Sequence, residues 1–224
     1  MIRSHMAGGW RLEAGCAMRA MALAAIVAGC GAAELVVRDL RLAVGGRPSE
    51  FDFTYAGSGA NASGSDSFEG GLGLELGGRW SWARPGDALG VVAGADLIVD
   101  AQSYGGSDGL ATTWGRASGG AGWALDDRTT LTAEVGLQYG VSALSLPGTA
   151  SAPAFEATGT AMGYDLRVGA TWLATRSFGF GVHAGWLIAS HDLSGDAEVT
   201  IDQAGLFVGL ELVWRFTDAP PRLE

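Results

Sequence analysis

From about Leu35 to Phe216 the apolar residues recur at every second position, and no segment sustains a 3.6-residue period. One run places Leu72, Leu74, Leu76, Gly78, Trp80 and Trp82 against Gly71, Gly73, Glu75, Gly77, Arg79 and Ser81. The alternation returns in 89–100, 129–141, 162–173, 178–189 and 206–216, and more weakly in 115–125. The first such stretch offers Leu40, Leu42 and Val44, then changes phase to Phe51, Phe53 and Tyr55 across Gly45-Gly46-Arg47-Pro48, as a bulge or kink would produce. This pattern predicts eight strands.

The connections alternate in kind. Arg84-Pro85-Gly86-Asp87, Asp126-Asp127-Arg128 and Thr175-Arg176-Ser177 read as tight turns. Between them lie Gly/Ser/Ala/Asp-rich stretches at about 58–67, 102–109, 145–158 and 192–199, expected to be four long loops. Short turns at one end and long loops at the other describe an up-and-down barrel with both termini on the short-turn side.

Alternation alone does not separate a soluble barrel from one that crosses a membrane. Only 17% of the 224 residues are charged, 48% are hydrophobic, and the basic residues are all arginine. The face that would meet water in a soluble barrel consists mostly of small residues. Expected strands of roughly 12 to 18 residues exceed the usual five or six and suit a membrane crossing. The aromatic residues also sort by height. Trp80, Trp82, Trp123, Trp172, Phe178, Phe180, Trp214 and Phe216 fall at short-turn ends, and Tyr55, Tyr104, Tyr139 and Tyr164 toward long-loop ends, as do Trp114 and Trp186. Two girdles flanking an apolar band are expected where rings sit at membrane–water interfaces. The fold class expected is all-β: a transmembrane up-and-down antiparallel β-barrel of eight strands.

On this pattern, and on the closing strand Val213-Trp214-Arg215-Phe216, residues 35–217 resemble the small OmpA/OmpX-type outer-membrane barrels. The resemblance implies a bacterial outer-membrane location, periplasmic termini and turns, and exterior loops. It also implies outer-membrane lipids, lipopolysaccharide and the barrel-assembly machinery as partners. Here Thr217 to Glu224 extend past the terminal aromatic.

Three regions follow: 1–33 as a targeting segment, 34–217 as the barrel and 218–224 as a short periplasmic tail. Met18-Arg19 precedes a short apolar run, Ala20 to Ala28, which reads as a signal sequence. Val27-Ala28-Gly29-Cys30 resembles a lipobox, with Cys30 as the lipidated residue. Ordinary cleavage after Gly31-Ala32-Ala33 fits the same residues. Either way Cys16 is lost and no disulfide within the chain is expected.

By parity, Arg41, Glu75, Arg79, Asp96, Arg116, Glu134, Asp165, Arg167, His183, Glu211 and Arg215 point inward. An eight-stranded barrel encloses space that side chains fill. Arginine forks paired with carboxylates would fill it well, because planar guanidinium binds two acceptors at once. Glycines such as Gly77, Gly94, Gly136, Gly181 and Gly209 share the inward parity and would clear room for those groups. The functional alternative for this cluster is a proton or ion path.

Arginines collect toward the short-turn end, whereas Asp66, Glu69, Asp108, Glu156, Asp192, Asp196, Glu198 and Asp202 lie at the other. These carboxylates read as a solvated acidic surface that keeps the loops soluble, with divalent cations bridging them to lipid headgroups as the alternative; the Asp192…Asp202 spacing is not an EF-hand, and no metal site is assigned. A net charge of −10 argues against nucleic acid. No nucleophile motif, Cys/His cluster or phosphate-cradling loop is present, so no cofactor is expected. Lipid A deacylases of this barrel type carry a His-x-Ser pair, and His191-Asp192-Leu193-Ser194 has the wrong spacing. The expected function is a monomeric, non-enzymatic barrel acting in envelope integrity or surface interaction. A small solute pore is the alternative, and a lipid-modifying enzyme the third.

Overall fold

The computed structural model describes residues 34–216 apart from 58–59, 85–86, 105–108, 147–154 and 196. The targeting segment with Cys30 and the tail 218–224 lie outside the described residues. Ten strands run in chain order: β1 Glu34–Gly46, β2 Glu50–Gly57, β3 Ala60–Ser67, β4 Gly70–Ala83, β5 Leu89–Ser103, β6 Gly109–Ala124, β7 Thr129–Leu146, β8 Phe155–Leu173, β9 Phe178–Gly195 and β10 Glu198–Arg215. Eight of them close an antiparallel ring, β1-β4-β5-β6-β7-β8-β9-β10, with β10 pairing back onto β1. The hairpin β2–β3 continues the wall above β1.

The two extra strands come from the first expected one and from its loop. Along the edge away from β9, β10 serves two partners: Gly209–Arg215 pairs with Gly45–Asp39 of β1, and Glu198–Gln203 pairs with Ala56–Phe51 of β2. Between them Arg47-Pro48-Ser49 leaves the ladder. Proline has no N–H to give. Pro48 instead seats on Gly205, where an added Cβ would lie 2.9 Å from Pro48 Cβ. The break does not shift the register, because Gly45↔Gly209 and Phe51↔Gln203 stand on one ladder. The side-chain phase is therefore kept, and the expected phase change is corrected: Phe51 and Tyr55 point inward like Arg41, into an interior that turns apolar at that height.

The four long loops are corrected as well. Residues 60–67 form β3; 102–103 belong to β5, and 192–195 and 198–199 to β9 and β10. Small, polar residues extend the ladder here because each strand finds a partner at its edge. β7 to β10 reach 18 or 19 residues, well past the roughly 9–11 that span a hydrocarbon core. The surplus rises as a collar at the hairpin end.

Outward-facing residues form an apolar belt around the ring, including Leu40, Leu74, Leu97, Val135, Leu166, Val182 and Leu210. Below it, Trp80, Trp123, Trp172, Phe180 and Phe216 are exposed at the short-turn end, where Trp82, Phe178 and Trp214 are partly covered. Phe178 packs on Phe180 and Trp214, with ring centroids 5.2 and 5.6 Å apart. Above it, Tyr139 and Trp186 are exposed and Tyr164 is partly covered. Tyr55 and Tyr104 are not part of this outer set: both pack against the interior cluster described next.

Candidate functional site

The lumen is filled in layers. Alternation sends every second residue of each strand inward, so the layers follow from which residues share a height. All eleven charged residues assigned inward by parity are buried.

At the short-turn end Arg215 grips Asp39 with two hydrogen bonds, Nε to Oδ1 at 2.9 Å and Nη2 to Oδ2 at 3.1 Å. A cleft of about 70 Å³ opens there, lined by Asp39, Arg79, Ser81, Thr132, Thr171 and Arg215 among others.

Above it lies a closed ring of alternating charge contributed by five strands. Arg167 forks onto Glu75 at 2.7 and 3.1 Å, and Glu75 lies 3.7 Å from Arg41. Arg41 donates to Asp96 at 2.8 Å, and Asp96 accepts from Arg116 at 2.8 Å. Arg116 forks onto Asp165 at 2.8 and 2.8 Å, and Asp165 returns to Arg167 at 3.9 Å. Two branches widen the ring. Glu211 joins Arg41 at 3.1 Å and His183 at 2.7 Å; Glu134 joins Arg79 at 2.7 Å and Arg116 at 3.6 Å. Desolvating such ions costs several kcal/mol each, which only near-complete pairing offsets. Backbone room comes from glycine: a Cβ on Gly136 would lie 2.5 Å from both Arg116 Nε and Asp165 Oδ2, and one on Gly77 would collide with the Asp96 carboxylate.

A roof of Ile98, Trp114, Ala161, Leu187, Ala189 and Phe207 covers the ring, and the Arg167 guanidinium lies 5.2 Å from the centre of the Phe207 ring. On this roof sits a polar layer. Gln102 donates Nε2 to the Pro48 carbonyl at 2.5 Å, and its Oε1 accepts from Gln203 Nε2 at 2.8 Å. That leaves Gln203 Oε1 to accept from His191 Nε2 at 3.2 Å, which places a proton on that nitrogen. Ser142 Oγ joins the layer at 2.8 Å from His191 Nδ1 and 2.9 Å from Thr112 Oγ1. Beside it Arg47 pairs with Asp100 at 3.2 Å, and Asp100 accepts from Trp114 Nε1 at 2.8 Å. These contacts pin the wall break from inside. Asp192 and Ser194 face outward, away from His191.

The mouth is capped by Phe68, Leu110, Leu144, Ala157, Leu193, Val199 and Ile201, with Phe51, Tyr55, Tyr104 and Phe155 against them. Phe51 stacks on Phe68 with centroids 4.4 Å apart.

Sequence reasoning missed several members. Asp39 and Asp100 share the inward parity of Arg41 and Asp96, so the signal was there. Arg47 shares the odd inward parity of Arg41, but it lies in the wall break, which the sequence pattern presents as a change of phase. Among the described residues, no group of three or more His, Cys, Asp or Glu is arranged to hold a metal ion. No described helix is long and apolar enough to cross a membrane, which says nothing of strands.

No protein-family model matches the chain. No curated protein sequence matches it. Among solved structures it is similar to the outer membrane protein OprG from Pseudomonas aeruginosa, with a TM-score of 0.50 and 10% identity over 82% of this chain and 97% of that one. It aligns with Ail of Yersinia pestis at a TM-score of 0.35 and 13% identity (80% and 98% covered), and with the outer membrane protease OmpT of Escherichia coli at 0.41 and 10% (83% and 99% covered). With OprG the chain shares its fold, a closed antiparallel barrel of the outer-membrane type.

Proposed function

We propose that the chain is an integral outer-membrane barrel that does not conduct and acts in envelope integrity or surface interaction. The apolar belt between two aromatic zones supports the membrane setting, since so large an exposed apolar surface is untenable in water. In this reading the short turns and termini are periplasmic and the collar with its β2–β3 hairpin faces the exterior. One observation carries the non-conducting role: the ion-pair ring Arg167–Glu75–Arg41–Asp96–Arg116–Asp165 crosses the lumen beneath an apolar roof. An ion passing through would have to break several buried pairs at once. Purified barrel in planar bilayers should give no discrete conductance steps. Reproducible single-channel steps would overturn the reading in favour of a small pore.

A further inference from the structure

Among the described residues the sheet has one open end, and that end is β3. The strand pairs with β2 from Gly57↔Ala60 to Glu50↔Ser67, and among the described residues no strand pairs with its other edge. The hydrogen bond from Phe68 N–H to the Ser49 carbonyl, at 2.8 Å, sets the parity of this ladder. Even-numbered residues bond inward to β2, so the backbone groups of Asn61, Ser63, Ser65 and Ser67 point to the open side. The lowest of these donors is already taken: Ser67 N–H gives to Asp66 Oδ1 at 2.8 Å, and Tyr104 holds Oδ2 of the same carboxylate at 2.6 Å. From Asn61 to Ser65 the edge carries no proline, no charge and no bulky side chain, the features that ordinarily blunt an edge strand.

The surroundings choose the occupant. Every exposed charged residue described at the collar is acidic: Glu50, Asp52, Asp66, Glu69, Glu156, Asp192, Glu198 and Asp202. A groove of about 710 Å³ runs beside the hairpin, lined by Glu50, Asp52, Asp66 and Asp202 with Ser65 and Gln203 among others. A second copy of this chain would bring like charge to like charge. We infer that the free edge of β3 takes up an extended cationic peptide segment of another protein by strand addition. Main-chain bonds to Asn61, Ser63 and Ser65 supply the affinity, and Arg or Lys side chains set against Asp52 and Glu50, which share the outer face of the hairpin, supply the selection. The inference rests on the surface-interaction reading for its setting and on the β3 edge for its chemistry.

The test uses the refolded full-length barrel and labelled decapeptides of alternating Arg and Val, of alternating Asp and Val, and the Arg peptide N-methylated at every second residue. The Arg peptide should bind, weaken as salt rises, and slow amide exchange at Asn61, Ser63 and Ser65. The Asp peptide and the N-methylated peptide should bind at least tenfold more weakly. Ser63→Pro, which removes an outward N–H only, should weaken binding tenfold or more, and Ser63→Ala should not. Equal binding of the Arg, Asp and N-methylated peptides would overturn the inference. So would slow exchange at those amides without peptide, or concentration-dependent dimers protected at the same amides. Labelling of Asn61→Cys on whole cells by an impermeant maleimide tests the exterior orientation separately; failure there would leave the peptide result untouched and sink the surface reading instead.

Discussion

Replacing Arg116 by methionine should unfold the barrel more readily than almost any other single change. Arg116 gives three short charge-assisted hydrogen bonds, one to Asp96 and two to Asp165, and stands 3.6 Å from Glu134. Each such bond contributes about 1.5–3 kcal/mol net. Arg116→Met keeps most of the volume, so the main loss is electrostatic: buried carboxylates lose their shared cation. Asp96 retains Arg41 at 2.8 Å, and Asp165 retains the Gln138 amide at 2.8 Å, which spares part of the cost. The expected destabilisation is about 3–5 kcal/mol, the range for stranding a buried ion, or roughly a thousandfold in the folding equilibrium. Asp165→Asn removes one of the stranded charges, so Arg116→Met/Asp165→Asn should cost less than the two singles together, by about 1–3 kcal/mol. The assay is reversible urea unfolding in detergent micelles, read by tryptophan fluorescence and by heat-shifted gel mobility. Arg176→Met at an exposed turn is the control and should stay within about 0.5 kcal/mol. A cost below about 1 kcal/mol for Arg116→Met, or strict additivity in the double variant, would refute the coupled ring.

Gly136→Ala should destabilise by about 1–3 kcal/mol, because its Cβ intrudes on the Arg116–Asp165 pair, whereas Gly46→Ala, with nothing within 4 Å, should stay near neutral in the same unfolding assay. In brominated-lipid vesicles a variant retaining only Trp172 should be strongly quenched and one retaining only Trp114 should not, since Trp172 faces outward and Trp114 is 1% exposed; equal quenching would place the apolar belt wrongly. At the β6–β7 turn the Asp126 carboxylate accepts the backbone N–H groups of Arg128 at 2.8 Å and Thr129 at 2.6 Å, which holds it below the usual aspartate range. The lowered folded value means that the turn is supported above the unfolded value near about 3.9 and loses that support as pH falls through the folded value. Carboxyl NMR of the refolded barrel should place the Asp126 midpoint below the ordinary value, and a midpoint at or above it would contradict the turn geometry.

Period-two alternation was enough to read the ring, its antiparallel order and the inward phase of the charges, because a strand offers only two faces. It failed where the interior changed character. Below the wall break the inside is polar and the outside apolar, so apolar residues mark the outer face. Above it Phe51 and Tyr55 are apolar and inward, and the same pattern reads as a change of phase. Tyr104 is hidden by the same change of character. Stretches of the collar such as Ala60–Ser67 read as loops because their strand propensity is low; they are strands through pairing, which one sequence does not display. Parity also places Glu75 and Arg167 on the inside without saying that they meet, 92 residues apart.

The seam where β10 meets β1 decides the order in which such a molecule can be built. Every other strand pairing in the eight-membered wall joins strands that are successive in the chain or separated only by the β2–β3 hairpin, whereas Asp39 and Arg215 are 176 residues apart. Closing a loop of that length rather than one of about ten residues costs roughly 2.5 kcal/mol more in chain entropy. Two ion pairs straddle this seam, Arg41 with Glu211 and Arg215 with Asp39, and neither exists until the last strand arrives. They act as a latch. A nascent chain short of β10 is an open sheet with two bare edges, and the final eighteen-residue strand turns that sheet into a sealed cylinder in one cooperative event.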